Sequence, residues 1–413
     1  MGITARPVAA DSSAAGPGLR RLLPYILLSN VAMFALYQGV LQVLLPLQIE
    51  QIDPTAKVRN LALVTGLSAI IATLFNPLAG GLSDRTSGRF GRRPPWILGG
   101  AVLSLGGLAL LGSVHTVLLV LLAWSVTQAT MNCHQAALTA VVPDRVPRER
   151  RGLVSALVGA GLPLGSVVGV VLSSALSGSP AVAYLALAGL VVVAAILFTT
   201  RTTEPAADRR PPPAVVRNAL RDFFACLADR DVLCVFLGRA LLVLGYFVVG
   251  TYQLYILQDF IGIPAVKAIA VLSPIAAVSV LVSTMAGGVL SDRLDRRKPF
   301  VFGASCVAGL AGLIPLAWPT WPGMVVFTVV AGLGFGCFLA VDTALATLVL
   351  PSDRDNGRDL GVLNMAAAAP QVLAPFAASV LVTHAGGYGA LFVAGAVLAV
   401  LGAVAIVPVR GVR

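Results

Sequence analysis

Long apolar runs dominate this sequence of 413 residues. Apolar residues make up 57% of the chain and charged residues only 11%, and the mean hydropathy is +0.90. A soluble domain carries about 25% charged residues, so this chain could not cover a surface that faces water. The runs reach the length of about 20 residues that a helix needs to cross a bilayer. Because the alternation of a membrane β-barrel is absent, the sequence predicts an all-α membrane protein.

Twelve runs are long enough to be membrane spans. They cover residues 22–47, 60–82, 95–113, 116–142, 152–176, 181–200, 231–258, 267–290, 299–318, 323–350, 360–383 and 388–409. An even number of spans places both chain ends on one side, and that side would hold 25 of the 29 lysine and arginine residues. Such a basic side faces the cytoplasm. We therefore expect a multi-pass plasma-membrane protein with both termini cytoplasmic. The basic residues behind the net charge of +11 then set the orientation of the chain in the membrane. We therefore expect no nucleic-acid partner.

One polar signature occurs twice. The sequence GGLSDRTSGRFGRRPPWI begins at residue 80, and GVLSDRLDRRKPFV begins at residue 288. Asp84 and Asp292 are 208 residues apart, and Pro163 recurs as Pro370 after 207 residues. Two similar halves that enclose one site near the middle of the membrane are typical of secondary transporters.

The duplication predicts two helical bundles joined by a linker. Residues 201–230 are the most polar internal stretch and contain three consecutive prolines, which interrupt helices. The predicted organisation is a disordered cytoplasmic N-terminus (1–21), an N-terminal six-helix bundle (22–200), a cytoplasmic linker (201–230), a C-terminal six-helix bundle (231–409) and a cytoplasmic tail (410–413).

The signature resembles a known family. The pattern G-x-L-S-D-R followed by G-R-R is similar to the loop between helices 2 and 3 of the major facilitator superfamily. The longer form SDRTSGRFGRRPPWI from Ser83, the stretch YQLYILQD from Tyr252 and the run GRDLGVLN from Gly357 resemble the glycoside-pentoside-hexuronide:cation symporters and the sucrose symporters. The resemblance covers nearly the whole chain. It implies twelve helices in two pseudo-symmetric bundles, with helices 1, 4, 7 and 10 around a central cavity.

The resemblance also implies that the two signature loops form a gate. Asp84 would face the start of helix 11 and Asp292 the start of helix 5, since a helix N-terminus attracts a carboxylate. These contacts would exist only while the cytoplasmic side is closed. The arginines would add charge pairs and contacts to lipid headgroups, or only fix the topology. The predicted gate residues are Gly80, Asp84, Arg85, Gly91, Arg92, Arg93, Asp292, Arg293, Arg296 and Arg297.

Two charged residues lie inside spans. Arg239 of helix 7 and Asp342 of helix 10 have similar depths, and isolated ions at that depth are costly, so we expect them to be partners. Asp342 is then either a coupling site for a proton or cation, or half of a structural salt bridge. The equivalent position of the first half holds Gln135, so the charge belongs to one half only.

Neutral polar side chains recur at helical spacing on helices 1, 4 and 7. Amides and phenols donate and accept hydrogen bonds without carrying charge, which suits a neutral, hydroxyl-rich ligand. The alternative is that they bond helix to helix. The predicted cavity residues are Asn30, Tyr37, Gln38, Gln42, Gln128, Asn132, Gln135, Tyr246, Tyr252 and Gln253.

Helix 5 contains a series of small residues. Gly159, Gly161, Pro163, Gly165 and Gly169 weakly resemble the antiporter motif of drug exporters, without its Gly-Pro pair. The alternative is close helix packing around a kink.

The leading hypothesis is a monomeric secondary transporter that imports a sugar or glycoside together with a proton or cation. The runner-up is proton-coupled export of a drug or natural product, and a non-transporting receptor on the same scaffold is a third possibility. No Walker loop, metal-ligand cluster or nucleophile elbow occurs, so we expect no enzyme activity, no cofactor and no metal. We also expect no disulfide, because no cysteine lies in an outer loop.

Overall fold

The computed structural model describes residues 17–86, 91–147, 150–202, 225–348 and 356–409. Most of the predicted N-terminal segment, most of the predicted linker and the tail 410–413 lie outside the described residues. Within the described ranges every regular element is helical and none is a strand.

Twelve helices among the described residues are long and apolar enough to cross a membrane, which confirms the predicted all-α fold. Helix α1 comprises Pro17–Gly39, the π-helical turn Val40–Leu44 and Leu45–Ile52. The other helices are α2 Lys57–Arg85, α3 Pro94–Leu111, α4 Val117–Arg145, α5 Arg151–Ala175, α6 Pro180–Arg201, α7 Arg230–Gly250, α8 Ala265–Leu294, α9 Arg297–Leu310 with its extension Leu313–Ala317, α10 Trp321–Leu348, α11 Asn356–His384 and α12 Tyr388–Ile406.

The same helix pairs pack together in both halves of the chain. In the first half α1 packs on α5 and α6, α2 on α4, α3 on α4, and α3 on α6. The second half repeats this pattern with α7 on α11 and α12, α8 on α10, α9 on α10, and α9 on α12. Two further contacts, α2 with α11 and α5 with α8, join the halves and are also equivalent to each other. The duplicated sequence therefore folds into a pseudo-symmetric structure.

The outer surface of the bundle is apolar. Leucine, valine and methionine side chains such as Leu103, Leu118 and Met285 are 63%, 64% and 73% exposed. Such a surface would be costly in water but is compatible with lipid tails. We call the side that carries the loop between α2 and α3 the basic face, and the other side the opposite face.

Helix α7 is shorter than its apolar run predicts. The run 231–258 predicts one continuous helix, but α7 ends at Gly250 and is followed by the short helix Gln253–Tyr255 and the π-helical turn Ile256–Phe260. Glycine is a weak helix former, and Tyr252 leaves helical geometry with φ −107° and ψ 18°. Gln253 therefore does not continue the α7 face that carries Arg239 and Tyr246, as equal sequence spacing had predicted.

Candidate functional site

Five of the ten predicted cavity residues are half-buried and have accessible polar groups that are unpaired among the described residues. They are Gln38 and Gln42 on α1, Gln135 on α4, Tyr246 on α7 and Gln253 beyond α7. None of these side chains has a hydrogen-bond partner among the residues that the structure describes. Each amide offers two donors and one acceptor. Removing a polar group from water costs free energy unless the group forms a hydrogen bond. These side chains are therefore suited to contact water or a polar ligand.

An aromatic surface adjoins Tyr246. The Tyr246 ring stacks on Phe335 of α10 with a centroid distance of 3.9 Å and an interplanar angle of 8°. Phe338 is the next ring on α10, 6.4 Å from Phe335. The stack joins α7 to α10. Phe335 is not among the predicted cavity residues, although its spacing of seven residues from Asp342 places the two on one helix face.

The remaining amides on α1 and α4 are buried. Asn30 donates to the carbonyl of Ile26 at 2.9 Å, and Asn132 donates to the carbonyl of Gln128 at 2.8 Å. The Gln128 side chain is also buried, and the hydroxyl of Tyr37 is buried without a partner among the described residues. The polar groups of these four predicted cavity residues are thus less accessible to a ligand than those of the half-buried set.

Tyr252 lies in a contact between helices. Its hydroxyl oxygen lies 2.9 Å from the carbonyl oxygen of Val58, on α2, and 3.2 Å from that of Pro375, on α11, and its one proton can be donated to either. The hydroxyl of Tyr255 donates to the carbonyl of Pro46, on α1, at 2.8 Å. Both tyrosines therefore join the second half to the first near the opposite face, and Tyr252 is 1% exposed.

Arg239 and Asp342 form an ion pair inside the second half. The Arg239 Nε lies 2.5 Å from Asp342 Oδ2, and Arg239 Nη1 donates to the carbonyl of Leu363, on α11, at 3.1 Å. The arginine thereby connects α7, α10 and α11. Asp342 Oδ1 is buried without a partner among the described residues. The geometry brings together the two intramembrane charges and leaves one carboxylate oxygen unpaired.

The first signature loop contributes two buried arginines to a charge cluster. Arg92 Nη2 lies 3.2 Å from Asp144 Oδ2 and Arg93 Nη2 lies 2.9 Å from the same oxygen. Arg93 Nη1 also donates to Ser83 Oγ, at 2.9 Å. The end of α2, the loop and the end of α4 are thus tied together. Asp144, near the end of α4, is not among the predicted gate residues. Gly91 has a φ of 84°, which favours glycine.

The rest of the predicted gate is less constrained. A Cβ on Gly80 would meet no atom within 4 Å, and the side chains of Asp84 and Arg85 lie outside the described part of the structure. In the second copy Asp292 pairs with Arg297 at 3.4 Å, its side chain is 67% exposed, and the neighbouring residues Arg293 and Arg296 are exposed. A carboxylate that exposed is not docked on α5. Among the described residues, this carboxylate therefore does not join the halves at the basic face, whereas the tyrosine contacts do join them at the opposite face.

The small residues of α5 pack against α1. A Cβ added to Gly161 would lie 2.8 Å from the Cβ of Asn30. A Cβ on Gly165 would lie 2.7 Å from the carbonyl oxygen of Val31, and a Cβ on Gly169 would lie 2.0 Å from the carbonyl oxygen of Ala35. Gly159 has nothing within 4 Å. These contacts favour the close-packing interpretation of this series.

Comparisons with known proteins agree with this architecture. The sequence profile of the Major Facilitator Superfamily matches residues 27–319 and 235–412. A search of curated proteins finds no match. Solved structures with the same fold include the nucleoside transporter NupG in a mutant form (TM-score 0.75, 15% identity, covering 93% of this chain and 98% of that chain). The human organic anion transporter MFSD10 (TETRAN) has a TM-score of 0.68 and 16% identity, and the match covers 95% of this chain and 100% of that chain. An inward-facing, occupied bacterial homologue of the human lysosomal transporter Spinster matches at TM-score 0.69 and 15% identity, covering 95% and 96%.

The described residues thus contain twelve helices long and apolar enough to cross a membrane, and these form two equivalent sets. Polar side chains without a partner among those residues lie on α1, α4 and α7. The sequence matches one family profile over nearly its whole length. This chain belongs to the major facilitator superfamily of transporters.

Proposed function

We propose that this transporter imports a neutral, hydroxyl-rich small molecule such as a sugar or glycoside, coupled to a proton or another cation. The observation that carries the proposal is the half-buried set of Gln38, Gln42, Gln135, Tyr246 and Gln253, whose polar groups are uncharged and unpaired among the described residues. Sugar hydroxyls match such donors and acceptors, and aromatic faces pack well on the apolar face of a sugar ring. A nucleoside, which NupG transports, is also a neutral hydroxyl-bearing molecule.

The proposed mechanism is alternating access in a monomer of the plasma membrane. The two six-helix sets would move against each other about the contacts of α2 with α11 and of α5 with α8. We assign the basic face to the cytoplasm, because lysine and arginine are concentrated in cytoplasmic loops. With that assignment the structure corresponds to the inward-facing state. We assign no chemical step to the protein, so the energy comes from an ion or substrate gradient.

Transport by purified protein in liposomes tests the function. We expect an inward proton or sodium gradient to drive accumulation of at least one sugar, glycoside or nucleoside from a labelled panel. Gln135→Ala removes hydrogen bonds worth about 0.5–1.5 kcal/mol each, so it should raise KM for that compound about three- to tenfold. Gln371→Ala is the matched control, because Gln371 is exposed on α11 and bonds the Ala367 carbonyl of its own helix. Gradient-driven expulsion of lipophilic cations, with no accumulation of neutral compounds, would instead support proton-coupled export.

The signature aspartate is proposed to stabilise the state in which the basic face is closed. Asp84→Asn removes a carboxylate whose interaction with a helix N-terminus is worth about 0.3–1 kcal/mol. We expect transport to slow about two- to fivefold while the equilibrium affinity for substrate is unchanged. Binding by calorimetry and initial transport rates are the two measurements. Asp295→Asn provides the control. Asp295 is exposed, and its backbone has the left-handed helical conformation (φ 49°), which asparagine tolerates. Loss of binding in step with transport would contradict a gating role.

A further inference from the structure

A cluster of charged and polar residues joins the two halves at the opposite face. We call Glu50, Lys57, Gln258, Asp259 and Tyr388 the latch cluster. Lys57 Nζ lies 2.7 Å from Glu50 Oε1 and 2.9 Å from Asp259 Oδ2. Gln258 Nε2 donates to Glu50 Oε1 at 2.6 Å, and the Tyr388 hydroxyl donates to Asp259 Oδ2 at 2.7 Å. The predicted cavity and gate residues do not include any member of this cluster.

The cluster lies near the axis that relates the two halves. Glu50 and Gln258 are 208 residues apart, which is the offset between Asp84 and Asp292 in the duplicated signature. Equivalent positions of two pseudo-symmetric units can contact each other only close to the symmetry axis. The hydrogen bond between Glu50 and Gln258 therefore marks the centre of the interface at this face, where closure blocks entry to the space between the halves.

The bonds of the cluster divide into two groups. Lys57–Asp259 and Gln258–Glu50 cross from one half to the other, whereas Lys57–Glu50 lies within the first half and Tyr388–Asp259 within the second. When the halves separate, Glu50 keeps its ammonium partner and Asp259 keeps its hydroxyl partner. No carboxylate of the cluster is left unpaired, so within the cluster opening breaks only the contacts that cross between the halves. This division suits a contact that must form and break repeatedly.

The first-half side of the cluster is held in place by the turn between α1 and α2. Asp53 accepts hydrogen bonds from the Thr55 hydroxyl at 2.7 Å, the Ala56 N–H at 3.1 Å and the Asn60 amide at 3.0 Å. The Thr55 hydroxyl, the Ala56 N–H and the Asn60 amide hold the pKa of Asp53 below its usual value, so it stays ionised near neutral pH and retains these bonds. The turn fixes Glu50 relative to Lys57.

Lys57 is the member with the most contacts across the interface. Its ammonium also lies 4.7 Å from the centroid of the Tyr255 ring, which belongs to the other half. The side chains of Lys57, Glu50 and Asp259 are only 14%, 19% and 29% exposed, so salt screens their attraction less than that of a surface pair.

We propose that the latch cluster holds the opposite face closed, and that Lys57 is the residue that sets the balance between the closed and open states. The proposal rests on alternating access in the proposed function. Substitution of Lys57 removes two contacts between the halves: the ion pair with Asp259, which is also a charge-assisted hydrogen bond, and the cation–π contact with Tyr255. Their loss should raise the ratio of open to closed molecules at this face about five- to tenfold.

Distance measurements between spin labels test the latch. The five native cysteines are replaced, and nitroxide labels are placed at His115 and His384, which are exposed at the opposite face on different halves. Lys57→Met, which keeps the apolar stem, should add a longer distance that is absent or minor in the parent protein. Asp259→Asn should act in the same direction. Lys267→Met is the matched control, because Lys267 is exposed on the same face and has no ion pair among the described residues.

A second label pair separates failure of the latch from failure of alternating access. Thr200 and Leu294 are exposed at the basic face on different halves. The latch is supported if Lys57→Met lengthens the opposite-face distance and shortens the basic-face distance, while Lys267→Met changes neither. The parent protein could show two distances for the basic-face pair, which indicates alternating access, while Lys57→Met leaves the opposite-face distance unchanged. That result would overturn the latch alone. A single distance for both pairs in every protein would overturn the latch and alternating access together.

Discussion

Arg239→Leu is expected to destabilise the folded protein strongly and to abolish transport. The substitution removes the ion pair to Asp342 and the hydrogen bond to the Leu363 carbonyl, and it leaves a carboxylate whose side chain is 2% exposed without a counter-charge. Breaking a buried ion pair in this way costs about 3–5 kcal/mol. The measurements are the yield of monodisperse protein in detergent and its apparent Tm.

The double variant Arg239→Leu/Asp342→Leu separates the two interpretations of this pair. Replacing both partners by apolar residues of similar size is often nearly neutral, so we expect most of the lost stability to return. If Asp342 is the coupling site, the double variant exchanges substrate across the membrane but does not concentrate it under an ion gradient. Full gradient-driven accumulation would assign the pair a structural role only. An Arg239→Leu protein as stable as the parent would contradict the contribution of the pair.

Gly169→Ala is the second substitution with a large expected effect. The added Cβ would lie 2.0 Å from the carbonyl oxygen of Ala35, and backbone cannot move aside as the end of a flexible side chain can. Helices α1 and α5 must separate, and overpacking of this kind costs about 1–3 kcal/mol or more. We expect a lower apparent Tm in a thermal unfolding assay, together with a lower folded yield.

Gly159→Ala is the matched control for that substitution. It makes the same chemical change on the same helix, where a Cβ meets no atom within 4 Å. Alanine is a better helix former than glycine by about 1 kcal/mol, so this variant should match the parent or be slightly more stable. Equal melting temperatures for the two variants would show that the contact between α1 and α5 is loose.

Local chemistry explains what could be predicted of the fold. The twelve spans follow from runs of apolar residues, and their number is confirmed because a helix in lipid must be apolar along most of its length. The end of α7 at Gly250 was not predicted, because the apolar residues of this span continue to residue 258. The span is interrupted where the Tyr252 hydroxyl contacts carbonyls of α2 and α11.

The candidate site was harder to predict because equal spacing does not determine exposure. Asn132 and Gln135 are both amides on α4, yet Asn132 bonds to its own helix and is buried, whereas Gln135 is half-buried and free among the described residues. Asp144, which binds Arg92 and Arg93, was missed because its partners are about 50 residues away in the chain.

The sequence by itself determined the number of spans, the duplication and the family, since these depend on composition and on motifs that are contiguous in the chain. The tertiary structure decided which polar groups meet. Glu50 lies near the end of α1, Lys57 at the start of α2 and Asp259 in the π-helical turn after α7. They form a cluster only because packing of the two halves brings Lys57 and Asp259, which are 202 positions apart, within hydrogen-bonding distance. Pairing between distant residues depends on where helices end and how they pack, and no local pattern of residues encodes it.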